Sequence, residues 1–253
     1  LAVLYPFEQV SLFASVSKGF SPATLAEIRA SDANINTSLQ PEFGWNYELG
    51  TRIQTANKML EFDITAYIFN LEQAIVRRNN ASGEEYFVNA GGTDQKGLEV
   101  RAAWTMIDKP SGLVSLLRLW SGFTFNDYQF TDYVIGNTDH SNNRLTGVPR
   151  QIIVSGIDVH SSKGLYLLLS HNHTGRLPLN DANSFYADAY DLVQGKLGWK
   201  KRVSASLALD IFAGIDNALN ERYSLGNDIN AVGNRFFNPA ATRNYFGGIT
   251  LEF

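Results

Sequence analysis

A chain of 253 residues suffices for one large β or α/β domain or two small ones; its charged share, 18%, is below the usual quarter, and its apolar share, 44%, is ordinary. The net charge of −4 excludes a generally cationic nucleic-acid surface, and zero Cys excludes disulfide scaffolds, thiolate zinc sites and cysteine nucleophiles. With 16 Phe, 11 Tyr, 4 Trp, 21 Gly and only 7 Pro, the composition suits a succession of strands. No stretch reaches the roughly 20 apolar residues of a spanning helix. Leu1–Pro6 has neither the basic region nor the cleavage site of a secretory signal. The chain is therefore expected to be cytosolic, or a mature or truncated piece of something exported.

In chain order, a stub over 1–5 precedes predicted strands near 8–18, 43–55, 58–71, 94–106, 112–127, 147–160, 163–175, 185–199, 202–217 and 243–253. Period-two alternation marks them. Trp45, Tyr47, Leu49, Thr51 and Ile53 share one face, opposite Asn46, Glu48, Gly50, Arg52 and Gln54. Leu60, Phe62, Ile64, Ala66 and Ile68 oppose Glu61, Asp63, Thr65 and Tyr67; Leu98, Val100, Ala102 and Trp104 oppose Glu99 and Arg101. Val203, Ala205, Leu207, Leu209 and Ile211 oppose Ser204, Ser206, Ala208 and Asp210, whereas in 150–160 neither face is free of apolar residues. A slip by one residue exchanges the faces, so clear alternation fixes the register.

The connections alternate in length. Short ones fall at Pro6–Phe7, Thr55–Lys58, Ile107–Ser111, Ser161–Ser162 and Lys200–Lys201, and long ones at 19–42, 72–93, 128–146, 176–184 and 218–242. Strands of about 10–15 residues joined by alternating tight turns and long loops are the plan of a transmembrane antiparallel β-barrel. Trp104, Trp199 and Tyr5 sit near short turns, where an interfacial aromatic girdle places its rings. A charge facing lipid is costly, so Glu48, Arg52, Glu61, Asp63, Glu99, Arg101, Lys196 and Asp210 are expected to face inward.

Several segments resemble the C-terminal half of the barrel of TonB-dependent outer-membrane receptors. They are Ser17–Pro22 followed by Leu25–Glu27, Leu39–Glu42 with Tyr47–Gly50, Asn89–Gly91 with Lys96–Glu99, Gly147–Pro149, Ile215–Tyr223, Asn238–Pro239, Arg243–Gly248 and a terminal Phe253. Each motif is weak alone; their order over nearly the whole chain carries the resemblance. It implies an all-β fold: about 10–11 strands of a barrel of about 22, with the plug domain and its TonB box absent, so that 1–253 is one barrel fragment with no second domain. It implies a site in the outer membrane of a Gram-negative bacterium, with the long loops extracellular. It further implies TonB-dependent uptake of a scarce ligand, foremost a ferric siderophore, with haem, cobalamin or a glycan open. The implied partners are TonB through the plug, the lipid bilayer, lipopolysaccharide, and the barrel-assembly machinery through the apolar face that ends in Phe253. No cofactor, resident metal or covalent chemistry is implied.

Candidate ligand-binding residues lie in the long loops: Arg77, Arg78, Tyr86, Tyr128, Tyr133, His140, Arg144, Arg176, Arg235 and Phe236. Guanidinium groups offer charge-assisted bonds to carboxylate or catecholate oxygens, and rings offer stacking area. His171 and His173, at i and i+2 on one strand face, are a further candidate pair. Asp158 and His160 beside Ser161 and Ser162 resemble a hydrolase dyad but lack a nucleophile elbow. Two alternatives remain open: a complete 10–12-stranded outer-membrane protease or phospholipase using the His and Asp pairs, and a passive porin.

Overall fold

A computed structural model describes residues 1–253 except Asp32, Ala33, Ala90 and Ala205. The stub and the ten predicted strands appear as one eleven-stranded antiparallel sheet in meander order. We label the strands β1 (Ala2–Phe7), β2 (Val10–Ser21), β3 (Glu42–Gln54), β4 (Leu60–Glu72), β5 (Gly92–Asp108), β6 (Leu116–Thr131), β7 (Gln151–His160), β8 (Leu165–Thr174), β9 (Tyr190–Arg202), β10 (Ala208–Asp216) and β11 (Asn244–Glu252). Ala90 of the Asn89–Gly91 motif and Ala205 of the last alternating run lie outside the described residues. The meander puts the turns 8–9, 55–59, 109–115, 161–164 and 203–207 at one end and the loops 22–41, 73–91, 132–150, 175–189 and 217–243 at the other.

Some boundaries shift from expectation. Lys200 and Lys201 remain in the ladder opposite Asp210 and Leu209 instead of forming a turn. Lys200 Nζ donates to Glu252 Oε1 at 2.6 Å, so its charge has a partner and need not sit in a loop. The turn moves to 203–207, closed by Val203 N donating to Leu207 O at 2.9 Å. Likewise Pro110 and Gly112 (φ +131°) stay within the 109–115 turn, and β6 starts at Leu116 and runs on to Thr131. Gly164 (φ +92°) closes the 161–164 turn, where a side chain would also collide with Lys200 O.

The register makes two unlike faces. Thr51, Ile64, Val100, Phe123 and Ile153 are successive partners across β3 to β7, as are Leu167, Leu197, Ala213 and Gly247 across β8 to β11. This face is apolar yet uncovered: Leu49 is 65% exposed and Leu197 58%. An apolar surface of that extent is intolerable in water and is what a lipid-facing wall requires. The opposite, inner face carries all the charged residues expected there, with Arg52 pairing to Asp63 at 2.8 Å and Gln54 donating to Glu61 at 3.0 Å. Trp104 is exposed on the apolar face near the short turns, and Trp199 Nε1 donates to Lys163 O at 3.0 Å at the same end, as an interfacial girdle requires.

The inner face has a second motif that alternation does not reveal. Phe13, Tyr67, Trp120, Tyr166, Phe212 and Phe246 lie directly opposite Gly50, Gly97, Gly156, Gly198, Gly248 and Gly214 on neighbouring strands. Each ring covers its glycine so closely that an added Cβ would collide with it. The ring gains packing area on bare backbone, and the glycine is shielded by a side chain it does not own.

Among the described residues the sheet encloses no dry interior of its own. The buried apolar clusters among the described residues lie at the long-loop end: Ala74, Phe130 (1% exposed) and Tyr133 with Leu71, Val76 and Leu145, and Leu179, Ala187 and Phe236 with Leu177 and Ala231. Fully burying one such large side chain contributes about 1.5–3 kcal/mol, so the loops, with the strand ends that carry Leu71 and Phe130, hold a core at this end.

Candidate functional site

The long loops are built from short hairpins. Ile75–Asn79 pairs with Glu85–Asn89, Val134–Ile135 with Thr138–Asp139, Leu177–Pro178 with Tyr186–Ala187, and Ser224–Asn227 with Phe237–Pro239. Side-chain turns close them: Asn80 Oδ1 accepts from Ser82 N and Glu84 N, both at 3.0 Å, with Gly83 at φ +86°. Asn180 Oδ1 accepts from Ser184 N at 3.0 Å. Beyond the second hairpin, the Ser141 hydroxyl and then its backbone N–H hold the Asp139 carboxyl below the usual carboxylate range. In 22–41, Thr24 and Glu27 form a reciprocal capping box on the helical turn Leu25–Ile28, and Asn36 Nδ2 donates to Phe87 O at 3.0 Å.

Two clefts open between these loops. One, of about 370 Å³, lies between the 75–89 hairpin and the 217–243 loop and is lined by Arg77, Glu85, Asp228, Arg235 and Phe237. Arg77 Nη1 donates to Glu85 Oε1 at 2.8 Å, and Arg235, held through Nε to Val232 O at 3.3 Å, is exposed. The other, of about 480 Å³, lies between the 175–189 and 217–243 loops and is walled by Leu177, Tyr186, Tyr190, Tyr223, Phe237 and Pro239. Arg176 lies over the Tyr186 ring at 4.1 Å, Tyr190 and Tyr223 have ring centroids 4.9 Å apart, and Arg222 is at the rim. Positive charge beside these closely packed rings is suited to anionic, flat or aromatic ligand groups.

The predicted residues divide into groups. Arg77 and Arg235 meet in the first cleft, and Arg176 stands beside the second. Arg78, Tyr133 and Phe236 are buried within the loop cluster rather than presented to solvent, because each packs against a neighbouring loop. Tyr86 lies opposite Arg78 in the hairpin, and the His140 ring lies 5.7 Å from that of Tyr133. The Arg144 backbone N donates to Asn183 Oδ1 at 2.8 Å and its carbonyl accepts from Asn183 Nδ2 at 3.0 Å, a loop-to-loop clamp. Tyr128, expected in a loop, is within β6 on the inner face; its hydroxyl meets that of Tyr67, above Glu48, Gln95 and Glu99.

His171 and His173 do share a face near the long-loop end, but it is the outward one. His171 Nε2 and His173 Nδ1 lie 2.7 and 3.0 Å from Asp191 Oδ1, away from both clefts. On the inner face, His160 stacks on Tyr166 at 5.9 Å, Ser161 Oγ accepts from Leu165 N at 3.0 Å, and Ser162 Oγ donates to Gly112 O. Ser161 and Ser162 are thus committed to building turns, while Asp158 and His160 are ladder residues of β7. The sequence reading missed Tyr186, Tyr190, Arg222 and Tyr223 as binding candidates. Their signal was the crowding of Tyr and Arg at the margins of the last two long loops, of which Arg222 and Tyr223 lay in a quoted motif.

Comparison with known proteins agrees with this geometry. Residues 1–218 match the family model described as TonB dependent receptor-like, beta-barrel. Among solved structures, the ferric yersiniabactin uptake receptor FyuA from Yersinia pestis is similar over 98% of this chain and 35% of its own, at 19% identity and TM-score 0.72. The siderophore receptor PiuA from Acinetobacter baumannii is similar over 99% and 34%, at 18% identity and TM-score 0.71. The ferric enterobactin receptor PfeA from Pseudomonas aeruginosa, as its G324V mutant, is similar over 99% and 39%, at 17% identity and TM-score 0.70. The chain therefore spans little more than a third of each of these proteins.

Proposed function

We infer the role of this chain from one premise: it belongs to the TonB-dependent receptor β-barrels, a family of Gram-negative outer-membrane proteins. On this reading, β1 to β11 are part of a barrel wall in the outer membrane, with the apolar face in lipid and the long loops outside the cell. The loop end receives a scarce ligand of the ferric-siderophore class, and uptake is driven through TonB acting on a plug domain. The carrying observation is the meeting of Arg77 and Arg235, from two different loops, in one cleft adjoining a tyrosine-walled cavity. Guanidinium groups suit the anionic oxygens of an iron chelate, and the rings of Tyr186, Tyr190 and Tyr223 suit its flat or apolar parts. That the structural neighbours are named for ferric yersiniabactin, siderophores and ferric enterobactin supports the ligand class.

Other partners follow from the same placement. Lys18, over Phe43 and Trp45 at 5.4 and 5.6 Å, and Arg150, over Phe125 at 5.1 Å, are positioned for lipopolysaccharide phosphates at the outer leaflet. The face Tyr245, Gly247, Ile249, Leu251 and Phe253 suits recognition by the barrel-assembly machinery. The chain acts as a receptor, not an enzyme. Titration of the protein carrying this chain, in detergent micelles, with ferric citrate, ferric enterobactin, haem, cobalamin and an oligosaccharide tests the ligand class. A ferric chelate should bind and lose affinity on Arg235→Ala; binding of only the vitamin or the glycan would reject it.

A further inference from the structure

Asp181 is a buried carboxylate at the centre of the loop end. Oδ2 accepts from Arg78 Nη1 and, at 3.0 Å, from the Tyr133 hydroxyl; Oδ1 accepts from the Thr146 hydroxyl and, at 3.1 Å, from Asn230 Nδ2. Each oxygen thus takes two donors, which fills the acceptor capacity of a carboxylate. The donors come from the loops 73–91, 132–150 and 217–243, while Asp181 belongs to 175–189. Its main chain joins the same contacts: Asp181 N donates to Asn230 Oδ1 at 3.0 Å, and Asp181 O accepts from Asn143 Nδ2 at 2.7 Å. Adjacent backbone bonds run from Gly147 N to Pro178 O and from Asn230 N to Leu179 O, both at 2.8 Å. The Arg78 guanidinium also lies 4.9 Å from the Tyr133 ring centroid, so its charge is held between an anion and a π face.

We propose that Asp181 is a positioning residue that fastens these four loops into one preassembled cap. Both clefts are walled by loops that Asp181 joins: 73–91 with 217–243 for the arginine cleft, and 175–189 with 217–243 for the tyrosine cavity. The clefts therefore stand formed before ligand arrives, and their walls move together. Closing one loop alone would strip donors from a buried carboxylate and separate a buried ion pair, which is far costlier than parting an exposed one. The ligand-facing part of this inference rests on the proposed receptor role; the fastening does not.

Hydrogen exchange on the protein carrying this chain, in detergent micelles without ligand, tests the fastening. Asp181→Ala should raise amide exchange in 73–91, 132–150 and 217–243 together, by about tenfold or more, with the amides of Gly92–Asp108 unchanged as the check that the wall is folded. Arg78→Ala should act in the same way. Arg77→Ala, which removes the half-exposed pair with Glu85 on the same hairpin, should leave the other loops unaltered. A rise confined to 175–189 in Asp181→Ala would overturn the proposal. Ferric citrate and ferric enterobactin serve as ligand probes. For whichever binds the unaltered protein, Asp181→Ala should weaken binding about tenfold, mainly through slower association, because fewer molecules hold the competent arrangement; unchanged association would overturn the positioning role. If neither probe binds the unaltered protein, the assigned ligand class fails, and the exchange experiment still decides whether Asp181 fastens the loops.

Discussion

The wall and the loop cap of this chain are held together in opposite ways. The wall has a continuous backbone ladder, an uncovered apolar face and no dry interior; the cap has little ladder, two buried apolar clusters and a buried ion pair. In the wall, specificity lies in the register, since one slip would turn Arg52, Asp63 and Arg101 toward the apolar side. In the cap it lies in long-range side-chain contacts, as in a small water-soluble domain. One chain thus meets two solvents: lipid supplies the apolar surroundings for the wall, and the loops must supply their own.

The difference is open to direct attack. The largest effect is expected from Phe130→Ala: this ring at the loop end of β6 anchors the cap residues Ala74 and Tyr133, and its loss should cost about 3–5 kcal/mol of stability at the loop end in denaturant unfolding. The outward Leu169→Ala should cost less than about 1 kcal/mol, because acyl chains fill the gap. If the two cost the same, the wall packs against protein rather than lipid. Next comes Leu169→Arg, expected to cost about 2–4 kcal/mol in a bilayer, against Ser170→Arg on the inner face, expected within about 0.5 kcal/mol. The same unfolding measurement in vesicles compares them.

Gly198→Ala sharpens the comparison within the wall. Its Cβ would collide with the Tyr166 ring, so about 1–3 kcal/mol should be lost, and most of that loss should vanish in a Tyr166→Ala background. Additive costs would show that the ring does not sit on the glycine. The smallest effect concerns pH. The Asp139 carboxyl is held below its ordinary value, so its contribution to the turn is fully present above the unfolded value of about 3.9 and fades as pH falls through the folded one. Protection of the Ser141 amide, taken relative to the intrinsic exchange rate at each pH, should fall in acid in the native protein but not in Asp139→Asn.

The wall was legible in the sequence because its rule is local: period-two alternation from Trp45 to Ile53 and from Leu60 to Ile68, punctuated by short turns, needs no distant partner. Its inner glycine–aromatic pairs were not, since Tyr67 and Gly97 are joined only by cross-strand register. The cap was mostly hidden. Its hairpins are too short to show a period: Val134–Ile135 and Leu177–Pro178 offer only two residues each. Arg78 and Asp181 are separated by 103 positions, and nothing local distinguishes a guanidinium that binds ligand from one that binds a carboxylate. Tyr128 was read as loop because an inner-face aromatic near a strand end breaks the apolar–polar alternation in the same way a loop does.

The central claim is that the two faces of the sheet meet different solvents, and a spin-label scan tests it most directly. The chain has no native Cys, so each residue of 191–199 can be replaced in turn by a single labelled cysteine in the protein reconstituted into bilayers. Collision with oxygen, which concentrates in lipid, should peak at odd positions such as Leu197→Cys, and collision with an aqueous nickel chelate at even ones such as Lys196→Cys, the two oscillating out of phase with a period of two residues. Both reagents rising and falling together, or the aqueous one reaching Leu197→Cys as readily as Lys196→Cys, would contradict the account.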